Sequence, residues 1–300
     1  MIRSLTQKNS VGLFFSGFIF LGYALALDDF SIRTSAVLFG LFLEGVLLNY
    51  ICFKNDIIRK KTALPTVLFA LLSALFITNL SMDHLIYGVL FLSGLSLAFE
   101  AKENPKRSPI LAIYMGLIVG FSAVFSSSST LLFVPIIVLF VQIGVIYFRG
   151  FVLALAYAFM VILSAIGILY LSESMTYVQT MIPTFSSSMI TFDSILVKLI
   201  SPVIGISLVS HFFQLNTYLF RYPNLSKNIN YALVVQLVLS LALSLLSADQ
   251  SLLVYPLMAT SLLLSFAFAY KESSIFANAL FSSLIVLTIG SVCIYHIIFL

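Results

Sequence analysis

Residues 34–53 read TSAVLFGLFLEGVLLNYICF and contain a single charged side chain, Glu44. A run of about 20 mostly apolar residues is long enough to cross a bilayer as an α-helix. Lipid offers no hydrogen bonds to the backbone, and a helix satisfies its own backbone groups within one segment. A barrel strand would alternate apolar and polar residues, and this run does not alternate. The stretch therefore predicts a transmembrane helix.

The composition extends this prediction to the whole chain. Hydrophobic residues make up 61% of the 300 residues and charged residues 9%, whereas a soluble domain has about 45–50% and about 25%. This chain has too few polar groups to cover a soluble surface of that size. We therefore expect an all-α, polytopic transmembrane bundle, with residues 1–300 forming a single integral membrane domain and no soluble domain.

Comparable apolar stretches predict eleven spanning helices. They cover approximately residues 10–27, 34–53, 62–80, 84–99, 109–125, 130–148, 150–171, 195–220, 229–247, 251–270 and 274–298.

The charges of the connecting loops predict the orientation. With a cytoplasmic N-terminus, 13 of the 15 Lys and Arg residues fall on the cytoplasmic side, and Arg33 and Lys198 are the other two. Such an excess is the positive-inside pattern, so the C-terminus is predicted to be periplasmic. The basic loops at 54–61 and 100–107 are explained by this control of orientation or by contact with anionic lipid head groups.

Several classes of site have no signature in this sequence. Cys52 and Cys293 lie far apart in apolar runs, and the three histidines have no metal-binding spacing, so we expect no metal centre. No glycine-rich nucleotide motif occurs, and no cofactor is expected. The net charge of +4 comes from short loops between spans, so nucleic acid is not a predicted partner.

Glu44 is the acidic residue placed in the middle of a predicted span. A charge at that depth costs at least about 2.5–3.5 kcal/mol, so we expect the side chain to face a cavity or partner, or to carry a proton. In the functional interpretation, Glu44 is a proton relay or part of the polar wall of a substrate cavity. In the structural interpretation, it is hydrogen-bonded to polar side chains of a neighbouring helix. Asn49 lies five residues further on, about 140° around the helix, so we expect the two side chains on different faces.

Asp28 and Asp29 follow the first span directly, and Arg33 lies just beyond them. Adjacent carboxylates at a membrane surface suit a general base or a divalent-cation site next to a lipid phosphate. A solvated turn, with Arg33 paired to one of the acids, is the alternative.

The eighth predicted span is the most polar. His211 and Gln214 are three residues apart and share a face, and Lys198 lies near the outer interface. Lys198, His211 and Arg33 are candidates for binding a lipid phosphate or another anionic head group. Ordinary hydrogen bonding between helices is the other interpretation, and it also applies to Gln142 and Gln236.

Two stretches resemble an uncharacterised domain-of-unknown-function family of flavobacterial-type polytopic inner-membrane proteins. They are MIRSLTQKNS (1–10) and LLNYICFKNDIIRKKTALPTVLFALLSALF (47–76), and the resemblance continues through RSPILAIYMGLIVGFSAVF (107–125) to about residue 171. This family has no established activity, so the resemblance implies only multi-pass insertion in a bacterial inner membrane.

The segment GLIVGFSAVFSSSSTLLFVPIIVLFVQIGVIYFRGFVLALA (116–156) is similar to part of the membrane glycosyltransferases that use polyprenyl-phosphate-linked sugars. Those enzymes carry an acid in the loop after the first span, which implies Asp28 or Asp29 here. Their loop is long, whereas this one has six residues, Asp28 to Arg33. With so short a loop, the resemblance implies a chain that has lost catalysis or works with a partner.

Three functions remain open. The first is an enzyme-like protein of envelope glycan or lipid-linked sugar handling, with Asp28 or Asp29 as catalytic residues. The second is a small-molecule or lipid transporter, with Glu44 and His211 along its pathway. The third is a non-catalytic membrane scaffold or assembly factor. Membrane lipids are expected partners in all three, and a polyprenyl-phosphate-linked sugar in the first.

Overall fold

A computed structural model describes residues 9–25, 31–55, 57–58, 62–76, 80–142, 148–172, 177–178, 205, 209, 224–247, 249–270 and 275–298. Within these ranges the regular structure is helical, and no strand occurs. The α-helices are α1 (Asn9–Leu25), α2 (Ile32–Lys54), α3 (Leu64–Phe76), α4 (Met82–Glu103), α5 (Ser108–Phe125), α6 (Phe133–Gln142), α7 (Phe148–Leu171), α8 (Asn224–Ser247), α9 (Val254–Tyr270) and α10 (Ile275–Ile298).

Short 3₁₀ helices lead into three of these elements. They are Pro105–Arg107 before α5, Ser127–Leu132 before α6 and Gln250–Leu253 before α9. Proline starts the first of them, where its missing N–H costs nothing. The Asp249 side chain caps the third by accepting from the Ser251 backbone N–H.

The described helices follow the predicted spans. Five helical segments are long and apolar enough to cross a membrane, namely Ile32–Lys54, Met82–Glu103, Pro105–Phe125, Phe148–Leu171 and Ile229–Ser247. Shorter apolar helices cover Ser10–Ala24, Leu64–Phe76, Ser127–Gln142 and Gln250–Phe266. The all-α architecture is therefore confirmed, with five described helices that could span a membrane. The count of eleven stays a prediction, and the eighth span (195–220) lies outside the described residues apart from positions 205 and 209.

Contacts divide the chain into two units. The first unit contains residues 1–85, 191–230 and 257–300, and the second contains residues 86–190 and 231–256. In the first unit, α1, α2 and α10 all pack against α3. Every residue of α3 from Leu64 to Leu75 is buried, so this short helix is the centre of the first unit.

In the second unit, α5 packs closely against α7. Gly116 lies on Ala154 and Gly120 lies on Ala158, and a Cβ built on Gly120 would be 2.8 Å from the Ala158 carbonyl oxygen. A Cβ on Gly116 would overlap the carbonyl oxygen of Ala154. Small residues four apart let two helix backbones approach each other, which is the usual basis of helix association in lipid. Because the residue numbers rise together along the contact, the two helices run parallel.

The other sides of α7 are apolar and uncovered within the described structure. Only Gly150, Ala154 and Ala158 are buried among its 24 residues. Phe159, Met160 and Leu163 are all more than half exposed. A soluble protein rarely exposes an apolar surface of this extent, whereas a helix facing lipid does so by default.

The α5–α7 contact predicts opposite effects for the same substitution at two glycines. Gly116→Ala inserts a methyl group against backbone atoms, so we expect the free energy of unfolding to fall by about 1–3 kcal/mol. At Gly167 on α7, an added Cβ would have nothing within 4 Å. Gly167→Ala should therefore raise the free energy of unfolding by up to about 1 kcal/mol, because alanine has the higher helix propensity. Denaturation of the purified proteins in detergent measures the free energy of unfolding of both variants. Equal effects of the two substitutions would contradict the close α5–α7 contact.

Candidate functional site

Helix α2 places Glu44 near its centre. Ser31 caps the start of the helix by accepting from the Thr34 N–H at 3.1 Å. Asn55 ends it, and its side-chain amide donates to the Ile51 carbonyl at 2.8 Å. At 1.5 Å per residue Glu44 lies about 18 Å from the first residue of α2 and about 15 Å from the last. A helix that crosses a 30 Å hydrocarbon layer would hold this carboxyl close to the midplane.

The Glu44 carboxyl is buried without a polar partner in the described structure. The residue is 4% exposed, and neither carboxyl oxygen has a hydrogen bond within the described ranges. Gly40, one turn away on the same face, lies against the side chain of Leu85. Leu41 and Leu48 are buried on that face as well, so the surroundings contributed by α2 itself are apolar.

Asn49 is buried too, at 8% exposure. We expected Glu44 and Asn49 on different faces, and the angle between them is as expected. However, the buried residues of α2 extend from Val37 to Cys52 and cover an arc of about 160°. Glu44 and Asn49 lie near the two edges of this one broad buried face.

On α3, two hydroxyl residues face α2. The Thr66 hydroxyl donates to the Gly45 carbonyl oxygen at 2.9 Å, and the absence of a side chain on Gly45 leaves room for Thr66 and Phe69. Ser73 is seven residues after Thr66, about two turns, so it lies on the same face of α3. Ser73 is 1% exposed, and its hydroxyl has no partner within the described ranges.

The second unit contains a separate polar cluster. The Tyr87 hydroxyl donates to the Asp249 carboxylate at 3.0 Å and is hydrogen-bonded to the Ser126 hydroxyl. The other Asp249 oxygen accepts from the Ser251 N–H at 3.0 Å and from its hydroxyl at 2.7 Å. Both oxygens of this carboxylate are therefore satisfied, and the cluster joins the start of α4, the end of α5 and the turn before α9.

Gln236 in the same unit joins three segments. Its side-chain amide donates to the Pro135 carbonyl, and its carbonyl oxygen accepts from the Tyr255 hydroxyl at 3.1 Å. The interpretation of Gln236 as an interhelical tie is thus confirmed. Ser240 and Ser244 continue the buried stripe along α8, and each donates to the carbonyl four residues before it, at 2.6 and 2.8 Å.

Other predicted site residues lie apart from Glu44 or outside the described ranges. Arg33 is exposed in the first turn of α2. The remaining predicted residues, Asp28, Asp29, Lys198, His211 and Gln214, fall outside the described residues. Their grouping into a catalytic or lipid-phosphate site stays a prediction.

The chemistry of the Glu44 site is limited by its surroundings. In the described part of the chain, no three His, Cys, Asp or Glu residues come close enough to hold a metal ion. The sequences of α1 and α3 contain no carboxylate. Ca²⁺ and Mg²⁺ take six or more oxygen ligands, and Zn²⁺ takes about four ligands. A carboxyl with no other ligand beside it in the described structure is therefore suited to holding a proton.

Sequence analysis missed Ser73 and the Tyr87–Asp249 pair. The i, i+7 spacing of Thr66 and Ser73 was the available signal for the first. No local spacing signals the second, because 162 residues separate its members.

No known family model, characterised protein or solved structure matches this chain. Both resemblances, to the flavobacterial-type family and to the glycosyltransferases, therefore remain predictions.

The polar cluster predicts a stability effect at Tyr87. Tyr87→Phe leaves Ser126 and one Asp249 oxygen without this partner, so we expect a loss of about 1–2 kcal/mol in the free energy of unfolding. The matched control is Tyr114→Phe on the exposed side of α5, where the residue is 51% exposed. Equal unfolding free energies for the two variants would mean that the cluster does not stabilise the second unit.

Proposed function

We propose that this chain is a multi-pass transporter of a bacterial inner membrane in which Glu44 takes up and releases a proton. The supporting observation is a buried carboxyl, near the centre of a helix long enough to cross the membrane, with no hydrogen-bond partner in the described structure. Ionisable residues inside transmembrane segments usually mark pathways or proton relays. The structural alternative required a polar partner on a neighbouring helix, and the described part of the chain supplies none.

The proposed topology has eleven spans, a cytoplasmic N-terminus and a periplasmic C-terminus. The basic residues of the loops support it. The parallel contact of α5 and α7 also supports it, because the chain between two parallel spanning helices has to cross the membrane an odd number of times, and the proposed map places one span there. The Tyr87–Ser126–Asp249 cluster fits as well, since the proposed map places an even number of crossings between each pair of these residues.

This topology is tested by labelling both termini. Single cysteines introduced at the two ends, in a chain lacking Cys52 and Cys293, should react with an impermeant thiol reagent from opposite sides of intact cells and inverted vesicles. Labelling of both termini from one side would contradict an odd number of spans.

One observation favours a second function, a membrane scaffold or assembly factor. Helix α7 presents an apolar surface on most of its circumference, and helices of partner proteins pack on such surfaces in lipid. A scaffold role needs no proton-binding carboxyl, so the behaviour of Glu44 separates the two proposals.

The central prediction is that Glu44→Gln abolishes proton movement. The purified protein is placed in vesicles that contain a pH dye, and a potassium diffusion potential drives protons inward. The wild-type protein should acidify the lumen and Glu44→Gln should not, because a carboxyl can pass on a proton and an amide cannot. Glu103→Gln is the matched control, since Glu103 is exposed at the end of α4. Equal acidification by the Glu44→Gln and wild-type proteins would overturn the proposal.

A Glu44→Leu variant separates function from folding. Leucine removes two buried oxygens that lack a partner in the described structure, so this variant should fold at least as stably as the wild type. Its vesicles should nevertheless acidify no faster than empty ones. Wild-type acidification by the Leu variant would show that the carboxyl has no essential role.

A further inference from the structure

The hydroxyl of Ser73 behaves differently from those of other buried helical serines. A serine inside a helix usually donates to the carbonyl three or four residues before it. Most of the buried serines described here do so: Ser16 to Leu13, Ser240 to Gln236, Ser244 to Ser240, Ser261 to Met258 and Ser265 to Ser261. Ser73 makes no such bond within the described structure. Its hydroxyl is free to bond to something other than its own helix.

Ser73 and Glu44 lie in the same pair of helices at different depths. Helices α2 and α3 are consecutive, and Thr66 near the start of α3 meets Gly45. Leu85, nine residues after the end of α3, lies against Gly40. The chain therefore advances along α3 toward the Ile32 end of α2, as expected for antiparallel neighbours. Ser73 is seven residues from Thr66, about 10 Å along α3 toward the end of the pair that contains Ile32. Since Glu44 is adjacent to Gly45, Ser73 lies between the level of Glu44 and that end.

Both ends of the pair are packed by apolar side chains. Toward the Ile32 end, Val37 and Leu38 are at most 4% exposed and Leu75 is 6% exposed. The opposite end is packed as tightly. Ile57, Ile58, Ala63 and Leu64 are each at most 4% exposed. Gly12 of α1 lies so close to Ala63 that a side chain on Gly12 would overlap its Cβ. The buried polar groups of the pair without described partners, the Glu44 carboxyl and the Ser73 hydroxyl, thus lie near the midplane and on its Ile32 side. On the other side, the buried Thr62 hydroxyl accepts from the Leu64 N–H.

We infer that water reaches Glu44 from the membrane face at the N-terminal end of α2, along the α2–α3 interface and past the Ser73 hydroxyl. This inference rests on the proposed role of Glu44 and adds its sidedness. A buried hydroxyl and a buried carboxyl without partners in the described structure are groups that a water molecule can satisfy, because water both donates and accepts. A proton can pass along such waters to and from the carboxyl. In the proposed topology this face is periplasmic.

The experiment uses cysteine reactivity in the full-length chain. In a Cys52→Ala, Cys293→Ala background, Ser73→Cys is compared with Leu72→Cys, which is buried at nearly the same depth on another face of α3. Ile32→Cys and Lys54→Cys, exposed at the two ends of α2, report which side the reagent reaches. The probe is a small, charged, membrane-impermeant methanethiosulfonate applied to sealed vesicles from either side.

We expect Ser73→Cys to react at least about tenfold faster than Leu72→Cys, since a thiol reacts only when it is hydrated enough to ionise. The reaction should occur only from the side that labels Ile32→Cys. Reaction no faster than at Leu72→Cys, or reaction from the side that labels Lys54→Cys, would overturn the inference. A matching unfolding temperature for each variant and the cysteine-free parent excludes misfolding as the cause of a result.

The outcome is separate from that of the transport assay. One-sided labelling of Ser73→Cys together with unchanged proton movement in Glu44→Gln would keep the access route and remove the proposed function. Loss of proton movement in Glu44→Gln with an unreactive Ser73→Cys would keep the function and remove the route.

Discussion

A polar group inside a bilayer has to find its hydrogen-bond partner within the protein, because lipid tails offer none. Most of the buried polar groups described in this chain satisfy that constraint locally. The serines of α8 and α9 donate to their own helices, and Gln236 joins Pro135 and Tyr255. Asp249 is surrounded by donors. Against this background, the Glu44 carboxyl, the Ser73 hydroxyl and the Gln142 side-chain oxygen differ, since none has a partner in the described structure. Glu44 and Ser73 lie in one pair of helices and are the basis of the functional proposal.

Packing in this chain depends on shape more than on apolarity. In lipid, one apolar side chain gains little by exchanging tails for another apolar side chain, so close backbone contact becomes the main source of association. The second unit achieves this at Gly116 and Gly120, and the first unit at Gly12 and Gly45. The remaining apolar side chains of α7 face outward. This arrangement explains how a chain that is 61% hydrophobic can have helices with few buried residues.

The sequence predicted the helices well where one strong signal decided them. For example, the stretch predicted at 34–53 forms α2 over Ile32–Lys54, because apolar content and the capping residues Ser31 and Asn55 agree. The prediction for 84–99 was too short: α4 extends to Glu103, since charged residues are tolerated in the last turn of a helix near the membrane surface.

The candidate site was only partly predictable. A carboxyl in the middle of an apolar run was visible in the sequence, so Glu44 was found. That Asn49 shares its buried face depends on how many helices surround α2, which periodicity does not encode. The i, i+7 spacing of Thr66 and Ser73 places both on one face of α3, but it does not separate Ser73 from other helical serines. The distinguishing property of Ser73 is a hydrogen bond that it does not make within the described structure. Tyr87 and Asp249 meet only through the tertiary fold.

The most direct test of the central claim is a high-resolution cryo-EM map of the protein in lipid nanodiscs. The proposal predicts that the Glu44 carboxyl lies in the middle of the lipid belt, with ordered water between it and Ser73 and no protein hydrogen bond to either oxygen. A side chain of the protein bonded to that carboxyl, or a position of Glu44 outside the lipid belt, would contradict it.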